Sequence, residues 1–270
     1  MKKTNVSLII GIILISFVLL MALVSFVWTP YDANAMDMAH RFSGPSREHL
    51  LGSDMFGRDI LSRTLVATRS AIAVSLFSVF SGAALGILIG SVAALSPSWL
   101  QIVIMRIIDA FMAFPGILSA LLLSVIFGKG MINATIAIAI FMVPSFARLS
   151  YSMILENRNR GYIKAAKSYG CSNSRLVIHH MLPDMISRLV TQLSSAVGSA
   201  VLTESSLSFL GLGVTPPDAS LGMMLAEARQ HVLIHPYQAV VPGVVLLIAI
   251  LGFNLFGDGM NEWFSSRRSS

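Results

Sequence analysis

Residues 71–95 read AIAVSLFSVFSGAALGILIGSVAAL, a run without a single charge and with glycines at 82, 86 and 90. A stretch of about 20 apolar residues crosses the hydrocarbon core of a bilayer. Gly82, Gly86 and Gly90 recur every four residues, which puts them on one face of a helix. Small residues at that spacing let two helices approach closely in lipid. The stretch therefore predicts a membrane helix with one face pressed against a neighbour.

The same pattern repeats on either side of it. No charge falls between Lys3 and Asp32, Arg69 and Arg106, Asp109 and Lys129, Lys129 and Arg148, or Arg229 and Asp258. These gaps predict further spans over 8–28, 107–127, 132–151, 189–207 and 239–256, with a kink at Pro115. Ala33-Asn34-Ala35 resembles a signal-peptidase site, but the apolar run before it exceeds the roughly 7–15 residues of a signal-peptide core. A first span is expected there. Composition agrees: 55% of the chain is hydrophobic and 12% charged, against about 45–50% and 25% in soluble domains. A soluble globular enzyme, a disordered chain and a fibrous protein are excluded. One cysteine, Cys171, excludes a disulfide framework and a cysteine-based zinc site. The expectation is an all-α polytopic membrane protein of six helices. Its parts are 1–28 (N-terminus and first span), 29–69 (external segment), 70–260 (a core of five spans) and 261–270 (tail).

Lysine and arginine concentrate on the cytoplasmic side of membrane proteins. Lys2 and Lys3, seven Lys/Arg within 148–188, and Arg267 and Arg268 place both termini and the 148–188 loop inside. The 29–69 segment disagrees, with five arginines, but the loop is the more strongly basic. The net charge of +6 is read this way and not as a nucleic-acid footprint.

Within the loop, 156–184 predicts a helix, a turn and a helix. Tyr162, Ala165, Ala166 and Tyr169 share a face, and the two alanines leave room for another backbone. Gly170 suits a left-handed C-cap, Ser172 can cap the second helix, and Leu176, Val177, His180 and Met181 form a stripe along it. Pro183 is expected to end it before the fifth span. A basic amphipathic hairpin of this kind either docks a cytoplasmic partner or rests on anionic lipid.

Elsewhere, Asp54/Arg58 and Asp59/Arg63 are opposite charges four apart, which predicts an amphipathic helix over 53–63 leading into the second span. The fifth span is unusually polar. Ser195, Ser199 and Ser206 fall near helical spacing and suit either a shared conduit or tight packing. Glu204 is an ionisable residue inside a span, a pathway candidate or a residue of the outer mouth. Arg106 and Asp109 predict an ion pair. Glu227, His231 and His235 are expected on one face; the two histidines are weak metal candidates without a clear third ligand. The chain holds no Gly-x4-Gly-Lys-Ser/Thr, Gly-x-Ser-x-Gly or His-Glu-x-x-His motif, so no catalytic site of its own is expected.

Lys164-Ala-Ala-x3-Gly170-x9-His180-x-Leu-Pro183 resembles the EAA loop of ABC-importer permeases, with Lys164 in place of the glutamate and His180 in place of isoleucine. Leu51-Gly-Ser-Asp-Met-Phe-Gly-Arg-Asp-Ile-Leu-Ser-Arg63 resembles the signature of C-type subunits in the dipeptide/oligopeptide/nickel permease family. Asp109 with Phe114-Pro115, Ser208–Gly213 with Pro216-Pro217, and Phe253–Gly259 are similar to later motifs of that family. Leu221 departs from its usual tryptophan, and the tail lacks its Arg-Asp pair. The resemblance implies half of a translocation path for peptides, with nickel or a metal chelate second: Ala67-Thr68-Arg69 and Ala228–His231 look somewhat like nickel-type members. It implies a homologous second permease, an extracytoplasmic binding protein and two ATPase subunits carrying ATP and Mg, in a bacterial cell membrane. Tyr162, Lys164, Ala165, Ala166, Gly170, His180, Leu182 and Pro183 would couple to those ATPases. This chain would bind no cofactor. An ATP-independent secondary transporter, the rival of another class, would need buried coupling charges and inverted repeats. Only Glu204 and Asp109 offer such charges, and no repeat is visible.

Overall fold

A computed structural model describes residues 5–268; Lys2 and Lys3, on which part of the orientation argument rests, lie outside them. No water is available in a bilayer to satisfy backbone N–H and C=O groups, so a single segment can span it only as a helix. The elements are α1 (Val6–Val27), α2 (Ile60–Leu95), α3 (Ser98–Met112), α4 (Gly116–Phe127), α5 (Met131–Arg158), α6 (Gly161–Ser168), α7 (Asn173–Arg175), α8 (Leu182–Phe209), α9 (Leu221–Ala228) and α10 (Tyr237–Arg268). Among the described residues five helices are long and apolar enough to cross a membrane, and six spans result if α3 and α4 count as one.

The centre is the α2–α5 pair. A Cβ added at Gly82 would lie 2.6 Å from the Ala139 carbonyl oxygen, one at Gly86 2.6 Å from that of Val143, and one at Gly90 2.2 Å from that of Ala147. The predicted glycine face is therefore a backbone-to-backbone contact. Around it Ala134, Ala137, Ile138, Phe146 and Ala147 of α5 are fully buried. Helix α1 is peripheral, with much of its apolar surface exposed, and lies along α10. There Gly11 meets the Phe256 backbone, and the Asn5 side-chain amide donates to the Gly259 carbonyl at 2.7 Å. Helix α8 packs between α2 and α10.

Three expectations are corrected. The third span is not kinked but broken: α3 and α4 meet at 94°. Pro115 removes a helical donor and disfavours helical geometry at Phe114. Few residues of α3 and α4 are buried (Met105 and Ile108; Ala120 and Ser124), so little packing opposes the break. Pro144 in α5 and Pro242 in α10 stay inside continuous helices. Second, Arg148, not Arg106, pairs with Asp109. Third, 53–63 is not an amphipathic helix. Ser53 bridges Asp59 in antiparallel fashion, and Gly57 turns at φ +74°. Asp54 Oδ1 accepts from the backbone N–H of Phe56 and Arg58 at 2.8 and 3.0 Å. That local bonding competes with a helix. The helix starts at Ile60, where Asp59 Oδ2 accepts from the Ser62 N–H at 2.7 Å. Helix α10 runs on through residue 268, into the segment 261–270 expected as the tail.

Gly86→Leu and Gly90→Leu would drive side chains into the α5 backbone. Each is expected to lower stability by about 1–3 kcal/mol or more, measured as unfolding in detergent micelles. Gly243→Ala, which meets open space, is expected to leave stability unchanged or raised.

Candidate functional site

At one end of the bundle, α6 and α7 form a hairpin. Helix α6 closes in a Schellman motif: Gly170, at φ +81°, donates to the Lys167 carbonyl and Cys171 to that of Ala166, at 3.0 and 3.2 Å. A residue other than glycine in that left-handed position costs roughly 1–2 kcal/mol. Ser172 occupies the N-cap position of α7, but its side chain makes no capping bond.

The second arm then departs from expectation. Pro183 does not end a helix; it sits in the first turn of α8. The chain reaches it through a π-helical turn, Leu176–Met181, in which the Leu182 N–H donates to the Val177 carbonyl. A wider turn accommodates a residue that cannot donate. Asn173–Phe209 is consequently one continuous helix of 37 residues.

The hairpin buries its apolar side inward. Ile163, Leu176, Val177 and Met181 join a cluster with Met153, Ile154 and Met185. An interfacial helix would turn that side to lipid. Outward lie Tyr162, Lys164, Ala165, Gly170, His180 and Pro183, all exposed, with Ala166 and Leu182 half-buried. Of the expected stripe, His180 is the member that faces out. Two acids brace the base. Asp184 accepts from Arg160 at 2.9 Å and from the Tyr162 hydroxyl; Glu156 pairs with Arg188 at 2.6 Å. Partial desolvation, followed by the bond to Asp184, holds the Tyr162 hydroxyl above the usual phenol range.

Further along the continuous helix, α8 lines a cavity of about 660 Å³ bounded by the α3–α4 elbow and α5. Gln192, Ser195 and Ser199 face it from α8, Ser145 from α5, and Phe114 and Phe141 from either side. Gln192 donates to Ser145 Oγ at 3.1 Å. Among the described residues no charged side chain lines it. The predicted set divides here: Ser195 and Ser199 reach the cavity, while Ser206 and Glu204 do not. Ser206 returns its hydroxyl to the Leu202 carbonyl. Glu204 is fully buried and accepts from Ser205 and Ser208 at 3.2 and 2.8 Å. Ser208 Oγ also accepts from the Val214 N–H at 3.1 Å, so the carboxylate organises the turn after α8. Sequence reasoning missed Gln192 and Ser145, although Gln192 shares its spacing of three and seven with Ser195 and Ser199.

The opposite end holds an ionic knot. Arg58 reaches Asp54 at 2.6 Å and Glu227 at 2.7 Å, and Arg63 approaches both at 3.5 Å. It ties the 29–59 segment to α2 and α9. The expected Asp59/Arg63 pair is replaced, since Asp59 Oδ1 meets His49 Nδ1 at 3.0 Å. His235 stacks on Phe42 with ring centroids 4.5 Å apart, and His231 meets the edge of the same ring at 4.9 Å. With Glu227 engaged by Arg58, the three are not brought together as ligands; among the described residues no group of three or more His, Cys, Asp or Glu could hold a metal.

Comparison with known proteins fits this architecture. The binding-protein-dependent transport system inner membrane component family matches residues 86–270. The chain belongs to that family. It is the membrane permease component of an ABC importer. The permease is 41% identical over 251 residues to the glutathione transport system permease protein GsiD of Pectobacterium atrosepticum, covering 91% of this chain and 83% of that one. It is 35% identical over 268 residues to the dipeptide transport system permease protein DppC of Alkalihalophilus pseudofirmus, covering 99% and 88%. Its fold is similar to a chain of the inward-facing MetNI methionine ABC transporter, with TM-score 0.60 and 18% identity over 72% of this permease and 92% of that chain.

Breaking a buried ion pair from one side costs roughly 3–5 kcal/mol. Glu227 is partly exposed, so Glu227→Ala is expected at the low end of that range. The readouts are unfolding in micelles and faster proteolysis within 29–59. Adding Arg58→Met is expected to recover part of the loss.

Proposed function

We propose that this permease forms half of the membrane path of a peptide importer, driven by separate ATPase subunits that grip the α6–α7 hairpin. The observation that carries the reading is the unbroken helix Asn173–Phe209. Its first turns belong to the hairpin, and Ser195 and Ser199, roughly 20–30 Å further on at 1.5 Å per residue, line the cavity. Displacement of the hairpin moves the cavity wall without an intervening joint.

The rest of the machine follows. The basic residues put the hairpin and both termini in the cytoplasm, and the 29–59 segment and α9 outside, where a binding protein delivers cargo. A homologous second permease closes the other side of the cavity; Leu118, Leu122 and Phe114 on its open rim are exposed. ATP and Mg reside on the ATPase subunits, and this chain carries no hydrolytic site. A path lined by hydroxyls, an amide and aromatic rings suits a peptide, which offers donors, acceptors and apolar surface together. GsiD and DppC, named for glutathione and dipeptide transport, support that cargo. ATP-driven closure of the ATPases would rock the helices between inward- and outward-open states.

The test reconstitutes the permease in vesicles with its second permease, ATPases and binding protein, and measures uptake of dipeptides, glutathione and nickel. ATP-dependent peptide uptake is expected. Uptake without ATPase subunits, or ATP hydrolysis by the purified chain alone, would refute the reading. Gly170→Val and Ala165→Asp are expected to leave membrane levels unchanged while abolishing ATPase docking and uptake. Ser199→Phe is expected to block uptake with docking intact.

A further inference from the structure

Between the end of α5 and the hairpin lies a cleft of about 220 Å³. Its rim carries Arg158, Lys164 and Lys167 with the amides of Asn159 and Asn173, and no acid lines it. The five rim residues are all exposed. Both acids nearby are already engaged: Glu156 with Arg188 and Arg160, Asp184 with Arg160. Ile163, Leu176 and Met181 form the apolar floor.

Three cations around one concave opening, flanked by two amide donors, repel one another unless an anion enters. We infer that this cleft receives a carboxylate side chain of the ATPase subunit, so that the docking interface here is a cationic socket on the permease and an acidic knob on the ATPase. The inference rests on the docking reading above and names its polarity. Charge complementarity selects the occupant. A bilayer surface is disfavoured because the hairpin's apolar side is spent inside the protein, leaving little to insert among headgroups.

Such an interface depends on salt, because rim charges are screened over about 10 Å at 0.1 M. The experiment uses the full permease pair in nanodiscs and its purified ATPase. Affinity is measured between low and high NaCl for the wild type, Lys164→Glu/Lys167→Glu, Lys164→Arg/Lys167→Arg and Ala165→Asp. A carbodiimide, which joins a lysine amine to a carboxylate, is applied to the wild-type complex and its products mapped by mass spectrometry. The charge-reversed pair is expected to bind roughly tenfold or more weakly and to lose most of its salt dependence. The arginine pair is expected to bind as wild type, and Lys164 or Lys167 to be cross-linked to an ATPase aspartate or glutamate. Wild-type affinity in the charge-reversed pair, with no such cross-link, overturns the inference. If Ala165→Asp still abolishes binding in that case, docking stands and only its polarity is wrong; if it too binds normally, both readings fall. Normal ATPase binding with lost affinity for anionic-lipid vesicles would assign the cleft to the bilayer and likewise overturn it.

Discussion

Everything in this permease is hung on the contact between α2 and α5. Lipid offers no hydrophobic drive for one apolar helix to leave it for another, so association depends on close packing. Gly82, Gly86 and Gly90 supply that by letting the α2 backbone reach the carbonyls of α5. Helix α5 then fixes what it carries. Ser145 and Phe141 are presented to the cavity, Arg148 reaches across to Asp109, and Arg158 at its far end sits on the rim of the cationic cleft. Helix α2 does the same in the other direction: Asp59 and Arg63 at its start anchor the 29–59 segment.

Much of this fold was legible because the bilayer imposes a one-dimensional rule. Long charge-free runs must be helices, and the glycine face of α2 named its own contact. Proline was legible as an event but not in its outcome. Pro115, Pro144 and Pro183 each remove a donor, yet the chain breaks at the first, stays helical through the second and widens into a π-helical turn before the third. What decides between them is the packing of each segment against its neighbours, which no local pattern contains. The 53–63 stretch failed for a related reason. Opposite charges four apart suit a helix, and Asp54 does pair with Arg58, but it also binds the backbone N–H groups two and four residues on, and Arg63 finds Glu227 from across the fold.

The candidate sites divide along the same line. Gly170 could be placed from sequence, because only a left-handed position explains a glycine between two amphipathic runs. Which side of the hairpin faces out could be read for Tyr162, Ala165 and Tyr169, all exposed, with Ala166 half-buried beside them. The cavity could not, since it needs residues from four helices. Ser195 and Ser199 share it with Gln192, while Glu204, the more conspicuous residue, serves the turn beyond α8. In a membrane helix a buried acid draws attention as a functional residue. Here its two serine donors account for it structurally.

Helix α8 is thus held at both ends. At one it is continuous with the hairpin; at the other, Gly222 of α9 lies so close that an added Cβ would sit 1.9 Å from the Ser205 carbonyl oxygen. Helix α9 is itself tied through Glu227 to Arg58 and Arg63. Between these ends its buried residues include the small Ser194, Ala196, Gly198 and Ala200 alongside Val197, Val201 and Leu207. Packed interfaces of this kind permit sliding by small increments, while an unbroken hydrogen-bonded helix does not shorten. On the proposed docking, a push on the hairpin would be carried along α8 as a tilt or a slide. The cavity wall at Ser195 and Ser199 would move with it, and the load would reach the ionic knot at the far end. Helix α8 thus joins the two ends of the molecule, from the hairpin at one to the ionic knot, through α9, at the other.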